Sequence, residues 1–101
     1  MTDTSMIVTL YQGDRYLPYL LQIAEENFRN MKLRLGLDCE LILVNDDPRK
    51  ILPIKGGEKS WGEIIVRNLE ENRGIHGARQ SGVKLAKGRY LVFLDQDDKI
   101  S

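Results

Sequence analysis

Four short apolar runs punctuate the chain: Met6-Ile7-Val8-Thr9-Leu10, Leu41 to Val44, Ile64-Ile65-Val66 and Tyr90 to Leu94. They are near-continuous rather than alternating, the pattern of strands buried on both faces of a parallel sheet. Between the first two, Leu17, Leu20, Leu21, Ala24, Phe28, Met31 and Leu35 recur at three- and four-residue steps. That spacing lays one apolar stripe along a helix and leaves Glu25, Glu26, Arg29 and Lys32 off it. Pro18 suits the first turn, where its missing N–H costs nothing, and Gly36 marks the end. A second helix is predicted from about Ile75 to Lys87, with Ala78, Val83 and Ala86 for packing and Gly88 as a left-handed stop. From Asn45 to Ser60 the composition shifts to Asp, Pro, Lys and Gly, which reads as a loop with one brief extended piece around Ile51 to Ile54. The order β-α-β-loop-β-α-β predicts a doubly wound α/β layout, in which right-handed crossovers pack both helices on a parallel sheet.

Bulk properties narrow the picture. With 101 residues, 42% of them hydrophobic, the chain is one domain at most, residues 1–101, with a modest core. Lys+Arg and Asp+Glu are equal at 15 each, so no global field draws it to nucleic acid or to an anionic membrane. The single Cys39 excludes an internal disulfide framework, and beside the run from Leu41 it reads as a small core residue. Met1 to Ser5 lacks the basic region of a signal peptide, and no apolar stretch approaches membrane-spanning length, so the chain reads as soluble and cytoplasmic. Trp61 is read as a cap on the sheet in preference to a platform for a base or sugar.

The candidate chemistry lies at the strand ends. The last apolar run delivers Asp95-Gln96-Asp97-Asp98, three carboxylates that repel one another. A divalent ion with oxygen ligands, Mg²⁺ or Mn²⁺, relieves that repulsion and attracts a diphosphate; a solvated acidic turn is the alternative. In an open α/β sheet the ligand crevice lies beyond the carboxyl ends of the strands. That rule gathers Tyr11-Gln12-Gly13-Asp14, Asn45-Asp46-Asp47-Pro48, Glu71-Asn72-Arg73-Gly74 and Asp95 to Asp98 at one edge. Each alone is an ordinary polar turn. Four together, two of them acidic, weaken that explanation. A dinucleotide-binding domain is disfavoured, because no G-x-G-x-x-G follows the first strand.

Longer motifs carry a family resemblance. Asn72-Arg73-Gly74-Ile75-His76-Gly77-Ala78-Arg79-Gln80-Ser81-Gly82, followed by Ala86-Lys87-Gly88-Arg89-Tyr90 and Phe93-Leu94-Asp95-Gln96-Asp97-Asp98, resembles the N-x-G…A-R-N-x-G…A-x-G-x-Y-x-x-F-L-D-x-D-D pattern of family 2 glycosyltransferases. Leu43-Val44-Asn45-Asp46-Asp47 is similar to that family's V-V-D-D-G-S segment, and Ile7 to Gln12 to its I-I-I-P-T-Y-N start. The resemblance covers almost the whole chain and is weakest from about Arg49 to Glu63.

What the resemblance implies is the N-terminal half of a GT-A fold, a Rossmann-like three-layer α/β/α domain with a mainly parallel sheet. That half binds a nucleotide-diphosphate sugar, a UDP-sugar being favoured, in metal-dependent enzymes that invert the anomeric centre. Thr9 and Tyr11 would flank the base and ribose, and Asp47 or Asp46 would accept from the N3–H of a uracil-type ring. Asp95, with Gln96 beside it, would face the ribose or sugar. Asp97 would ligate Mn²⁺ or Mg²⁺ at the diphosphate, supported by Asp95 and by Asp98 through water, and the ion would neutralise the departing nucleoside diphosphate. Arg79 either reaches the diphosphate or anchors its helix to the sheet ends, the second being favoured. His76 reads as a surface or capping residue. Gly74 and Gly77 would let the backbone approach a ligand.

Gln12, Asn45, Pro48 and Gln80 depart from the family pattern; they alter the base-reading loop and leave the acidic cluster intact. The family's general base lies well beyond the metal motif, so it is expected past Ser101, and no residue here is assigned to catalysis. The chain is therefore expected to be the donor-binding fragment of a larger enzyme, inactive alone, its acceptor a saccharide or lipid-linked glycan and any membrane association supplied by other parts. An uncovered sheet edge would favour a homo-oligomer. The competing reading is a noncatalytic nucleotide-binding or interaction module with the same fold.

Overall fold

The computed structural model describes residues 2–95. Strand β1 is Thr4–Leu10, a 3-10 turn follows at Asp14–Tyr16, and helix α1 is Leu17–Leu35. Then come β2 (Cys39–Asn45), β3 (Gly57–Lys59), β4 (Gly62–Asn68), α2 (Gly74–Leu85) and β5 (Tyr90–Asp95). The five strands form one sheet in the order β3-β4-β2-β1-β5. All neighbours are parallel except the β3–β4 pair, which is antiparallel.

Period-two alternation divides the strand residues between two cores. Met6, Val8 and Leu10 of β1, with Leu41 and Leu43 of β2 and Ile64 of β4, pack against Leu17, Leu20, Ala24 and Phe28 of α1. Ile7, Ile42 and Val44 point the other way, onto Ala78 of α2 and Leu69. The result is the expected α/β/α sandwich. Gly36 ends α1 in the left-handed region at φ 66°, its N–H donating to Lys32 O at 3.0 Å while Leu37 N donates to Met31 O at 3.2 Å. Cys39 is buried beside Met31, and burial pushes its thiol up, away from the reactive thiolate.

Several expectations change. Leu35 is 68% exposed and Ile23 is buried instead. A 19-residue helix runs roughly 28 Å, longer than the roughly 23 Å of a seven-residue strand, so its last turn overhangs the sheet. Val83 is also exposed, because α2 meets the sheet through Ala78 and Gly82. A Cβ at Gly82 would lie 2.5 Å from Ile7 Cγ2 and 3.3 Å from Val44 Cγ2, so the lack of a side chain is what lets α2 seat. Helix α2 stops at Leu85 through an extended Ala86, and Gly88 is not a left-handed stop. Gly88 instead passes close to β1, where a Cβ would come within 2.6 Å of Ser5 N. The extended piece falls at Gly57–Lys59, not at Ile51 to Ile54, because a hairpin turn at Ser60 and Trp61 folds it back on β4. The unbroken apolar run of β5 predicts cover on both faces. The strand instead bonds only to β1 among the described residues, and Tyr90, Leu91, Val92 and Phe93 are 41–66% exposed.

Candidate functional site

The parallel register aligns the carboxyl ends of β4, β2, β1 and β5. Asn68 pairs with Asn45 and Asn45 with Leu10, while Thr9 lies between Val44 and Asp95. The loops beyond these residues form the site, and Asn45 is the post on which they are built. It is 2% exposed. Its Nδ2 lies 2.6 Å from Lys50 O, 2.9 Å from Asn68 Oδ1 and 3.3 Å from Asp47 O, and its Oδ1 accepts from Asp47 N at 3.2 Å. Asn68 Oδ1 also accepts from Leu52 N. One buried amide therefore shapes the turn from Asp46 to Lys50 and joins it to β4.

The two carboxylates of that turn have different partners. Asp46 is buried and its Oδ1 accepts from Arg73 N at 2.7 Å, fastening the turn to the start of α2. Asp47 faces the other loop. Its Oδ1 accepts from both the backbone N and the side-chain Nε of Arg49, each at 3.0 Å, and Arg49 Nη2 donates to Tyr11 Oη at 3.0 Å. The guanidinium carbon lies 5.9 Å from the Tyr11 ring centroid, a cation–π contact. Lys50 Nζ reaches Asp14 Oδ2 at 2.6 Å, a second tie between the same two loops. The Arg49 side-chain bond, with its backbone bond and charge, holds the Asp47 carboxyl below its ordinary 3.8. Between these ties Gln12 adopts φ 53°, the one non-glycine left-handed residue among those described. Tyr11, just before it, stands at the loop surface, 43% exposed.

Of the residues expected here, Thr9, Tyr11, Asp46, Asp47 and Asp95 come to one edge. Asp95 ends β5 opposite Thr9. Gln96, Asp97 and Asp98 lie outside the described residues, so most of the acidic cluster does too. Among the described residues no three His, Cys, Asp or Glu side chains converge as metal ligands. Arg79 sits on α2 with its guanidinium carbon 5.7 Å from the Phe93 ring centroid, which places it against β5 two residues before Asp95. His76 is exposed, as expected. A Cβ on Gly77 would strike Arg73 Cβ at 2.6 Å, so Gly77 makes room for Arg73; Gly74 is open, at φ 74°. Trp61 is buried against Phe28, centroids 5.8 Å apart, at the start of β4 and hence the opposite end of the sheet.

Motif and spacing give no role to Asn45 or Arg49. In the chain Asn45 is only a departure from an acidic segment, and Arg49 falls in a stretch that reads as loop. Their local bonds stay within the turn, Asn45 to Asp47 and Lys50 and Arg49 to Asp47, whereas the contacts that join the turn to other elements, Asn45 to Asn68 and Arg49 to Tyr11, span 23 and 38 residues.

Known proteins share this architecture. The profile of Glycosyl transferase family 2 matches residues 5–101. The chain is 34% identical over 101 residues to the minor teichoic acid biosynthesis protein GgaB of Bacillus subtilis (strain 168), covering 98% of this chain and 11% of that protein. It is 41% identical over 94 residues to the uncharacterized glycosyltransferase YwdF of the same organism, covering 93% of this chain and 32% of YwdF. The chain thus spans about a tenth and a third of the lengths of these relatives. In three dimensions it is similar to residues 1–349 of TarS from S. aureus, with a TM-score of 0.68 at 22% identity over 99% of this chain and 29% of that one. That likeness identifies the fold as the N-terminal part of a GT-A domain. With its profile match, its sequence relatives and its fold in agreement, the chain belongs to glycosyl transferase family 2.

Proposed function

We propose that this chain is the donor-binding part of an inverting, metal-dependent glycosyltransferase and holds a nucleotide-diphosphate sugar, a UDP-sugar, at the carboxyl edge of its sheet. The observation that carries the reading is the bridge from Asp47 through Arg49 to Tyr11, which joins the loops after β2 and β1 into one polar rim with an aromatic ring on it. Tyr11 and Thr9 flank the base and ribose in this reading, and the Asp47 carboxylate accepts an N–H from the base. Asp46, already bonded to Arg73 N, holds the rim to α2 rather than contacting the base. The ribose or sugar is assigned to Asp95 and Gln96.

Asp97, with Asp95 and Asp98, would hold Mg²⁺ or Mn²⁺. The donor set is all oxygen and anionic, the chemistry those ions prefer. When bound, the ion supplies charge neutralisation for the departing nucleoside diphosphate. The relatives are several times longer than this chain, and the general base and the acceptor site, for a saccharide or lipid-linked glycan, are assigned to that further length.

Calorimetric titration with UDP, with and without chelator, tests the reading. Binding that needs Mg²⁺ or Mn²⁺ and is lost in Asp97→Asn supports it. Equal affinity in chelator rejects the metal, and no binding of any nucleoside diphosphate rejects the donor site.

A further inference from the structure

We propose that Arg49 sets the base preference of this site, selecting a base that presents a single imide N–H, the uracil pattern, over guanine. The proposal rests on the reading of the loop edge as a nucleotide-sugar site and adds a residue that decides which nucleotide it takes.

The Asp47 carboxylate is divided between two uses. Its side chain is 6% exposed, and Oδ1 already accepts two N–H groups from Arg49. Among the described residues Oδ2 has no hydrogen-bond partner, so it is the oxygen left for a ligand. A carboxylate with both oxygens open takes two parallel N–H donors, which is what guanine offers through N1–H and its exocyclic amine. With Oδ1 occupied, only one donor can be accepted well, and the second guanine N–H is desolvated without a partner, at a cost of about tenfold or more in affinity. Uracil suits what remains. Its N3–H is a single donor between two carbonyl oxygens, and Oδ2 beside the guanidinium presents an acceptor next to N–H donors. Cytosine and adenine turn a bare ring nitrogen toward the carboxylate and are repelled.

Arg49 has the freedom to play this part. Its side chain is 66% exposed and contributes little to the core, while its bonds to Asp47 and Tyr11 engage two of its five side-chain N–H donors. The bond to Tyr11 Oη also fixes the aromatic ring relative to the carboxylate, so the base-stacking group and the base-reading group move as a unit. Lys cannot substitute, because a point charge lacks the fork that holds Asp47 and Tyr11 at once.

The test is titration of the full chain and of Arg49→Ala and Arg49→Lys with UDP and with GDP, in Mg²⁺ buffer, with circular dichroism to confirm folding. The unsubstituted chain should prefer UDP by about tenfold or more, and both variants should lose most of that preference, chiefly by gaining affinity for GDP. Arg49→Lys remains informative even if Arg49→Ala folds poorly. An unchanged UDP-to-GDP ratio in the variants overturns the role of Arg49 while leaving the nucleotide site standing. An equal loss of both nucleotides means that Arg49 serves the phosphates, and also overturns it. If the unsubstituted chain binds neither nucleotide, the donor-site reading and this inference fall together.

Discussion

Ser5 Oγ donates to Glu40 Oε2 at 2.6 Å, and both residues are completely buried where β1 and β2 pair near their amino ends. The same carboxylate oxygen accepts from Lys87 N at 2.7 Å, and Ser5 Oγ accepts from Gly88 N at 2.8 Å. The connection from α2 to β5 is thus pinned to the end of the sheet opposite the candidate site. Glu40 Oε1 is buried with no partner among the described residues, so the node leaves one acceptor unpaired while it secures two backbone donors. Replacing Glu40 with Ala leaves the buried Ser5 hydroxyl without its acceptor, at about 1–3 kcal/mol, and also removes the acceptor of the part-buried Lys87 N–H. Urea unfolding should show Glu40→Ala as among the most destabilising single changes; a loss below about 0.5 kcal/mol would mean the node relaxes onto water.

Gly82 is the second place where the fold leaves no slack. Gly82→Ala forces Cβ against Ile7 Cγ2 and should cost about 1–3 kcal/mol through overpacking. Gly57, with nothing within 4 Å of an added Cβ, is the control, and Gly57→Ala should change stability by no more than about 0.5 kcal/mol. Equal effects in the two variants would show that α2 can shift at no cost.

Trp61 separates core from site. Its contact with Phe28 and its burial predict a loss of about 3–5 kcal/mol in Trp61→Ala. The conservative Trp61→Phe should leave UDP affinity unchanged, because Trp61 stands at the far end of β4 from the loops proposed to hold the nucleotide. A tenfold loss of UDP affinity in a well-folded Trp61→Phe would restore it as a stacking platform.

The Asp47–Arg49 contact gives the loop edge an acid limit. A carboxyl whose folded value lies below its ordinary 3.8 contributes stability that is fully present above 3.8 and is lost as pH falls through the lower folded value. The Arg49 Nε–H resonance should therefore hold its position from neutral pH down to about 4 and shift only below it. In Asp47→Asn that acid transition should vanish; its persistence would assign it to another carboxyl.

The post under the loops makes a further expectation. Asn45→Ala removes the amide that joins Lys50 O, Asp47 and Asn68, so the turn from Asp46 to Lys50 should loosen. UDP affinity should fall about tenfold, while a conservative change at exposed His76 leaves it unaltered. Full affinity in Asn45→Ala would show that Asp46 and Arg73 suffice to hold the turn.

Local chemistry makes the elements readable from the chain. The stripe of α1, Pro18 in its first turn and Gly36 at its end act within a few residues, so periodicity and backbone preference reveal them. The four near-continuous apolar runs announce a parallel sheet for the same reason, and ordered motifs such as Asn72 to Gly82 carry the family. Periodicity does not say which strands become neighbours or which face of a helix is flush with the sheet. The seating of α2 through Gly82, the short β3 and the exposure of β5 all follow from tertiary neighbours. The same holds for the site. Asp47 is recognisable from its motif and Arg49 stands only two residues on, but nothing along the chain reveals that Arg49 reaches Tyr11 across 38 residues. That contact exists only because β1 and β2 pair in parallel, which carries the loops after them to one edge within hydrogen-bond reach.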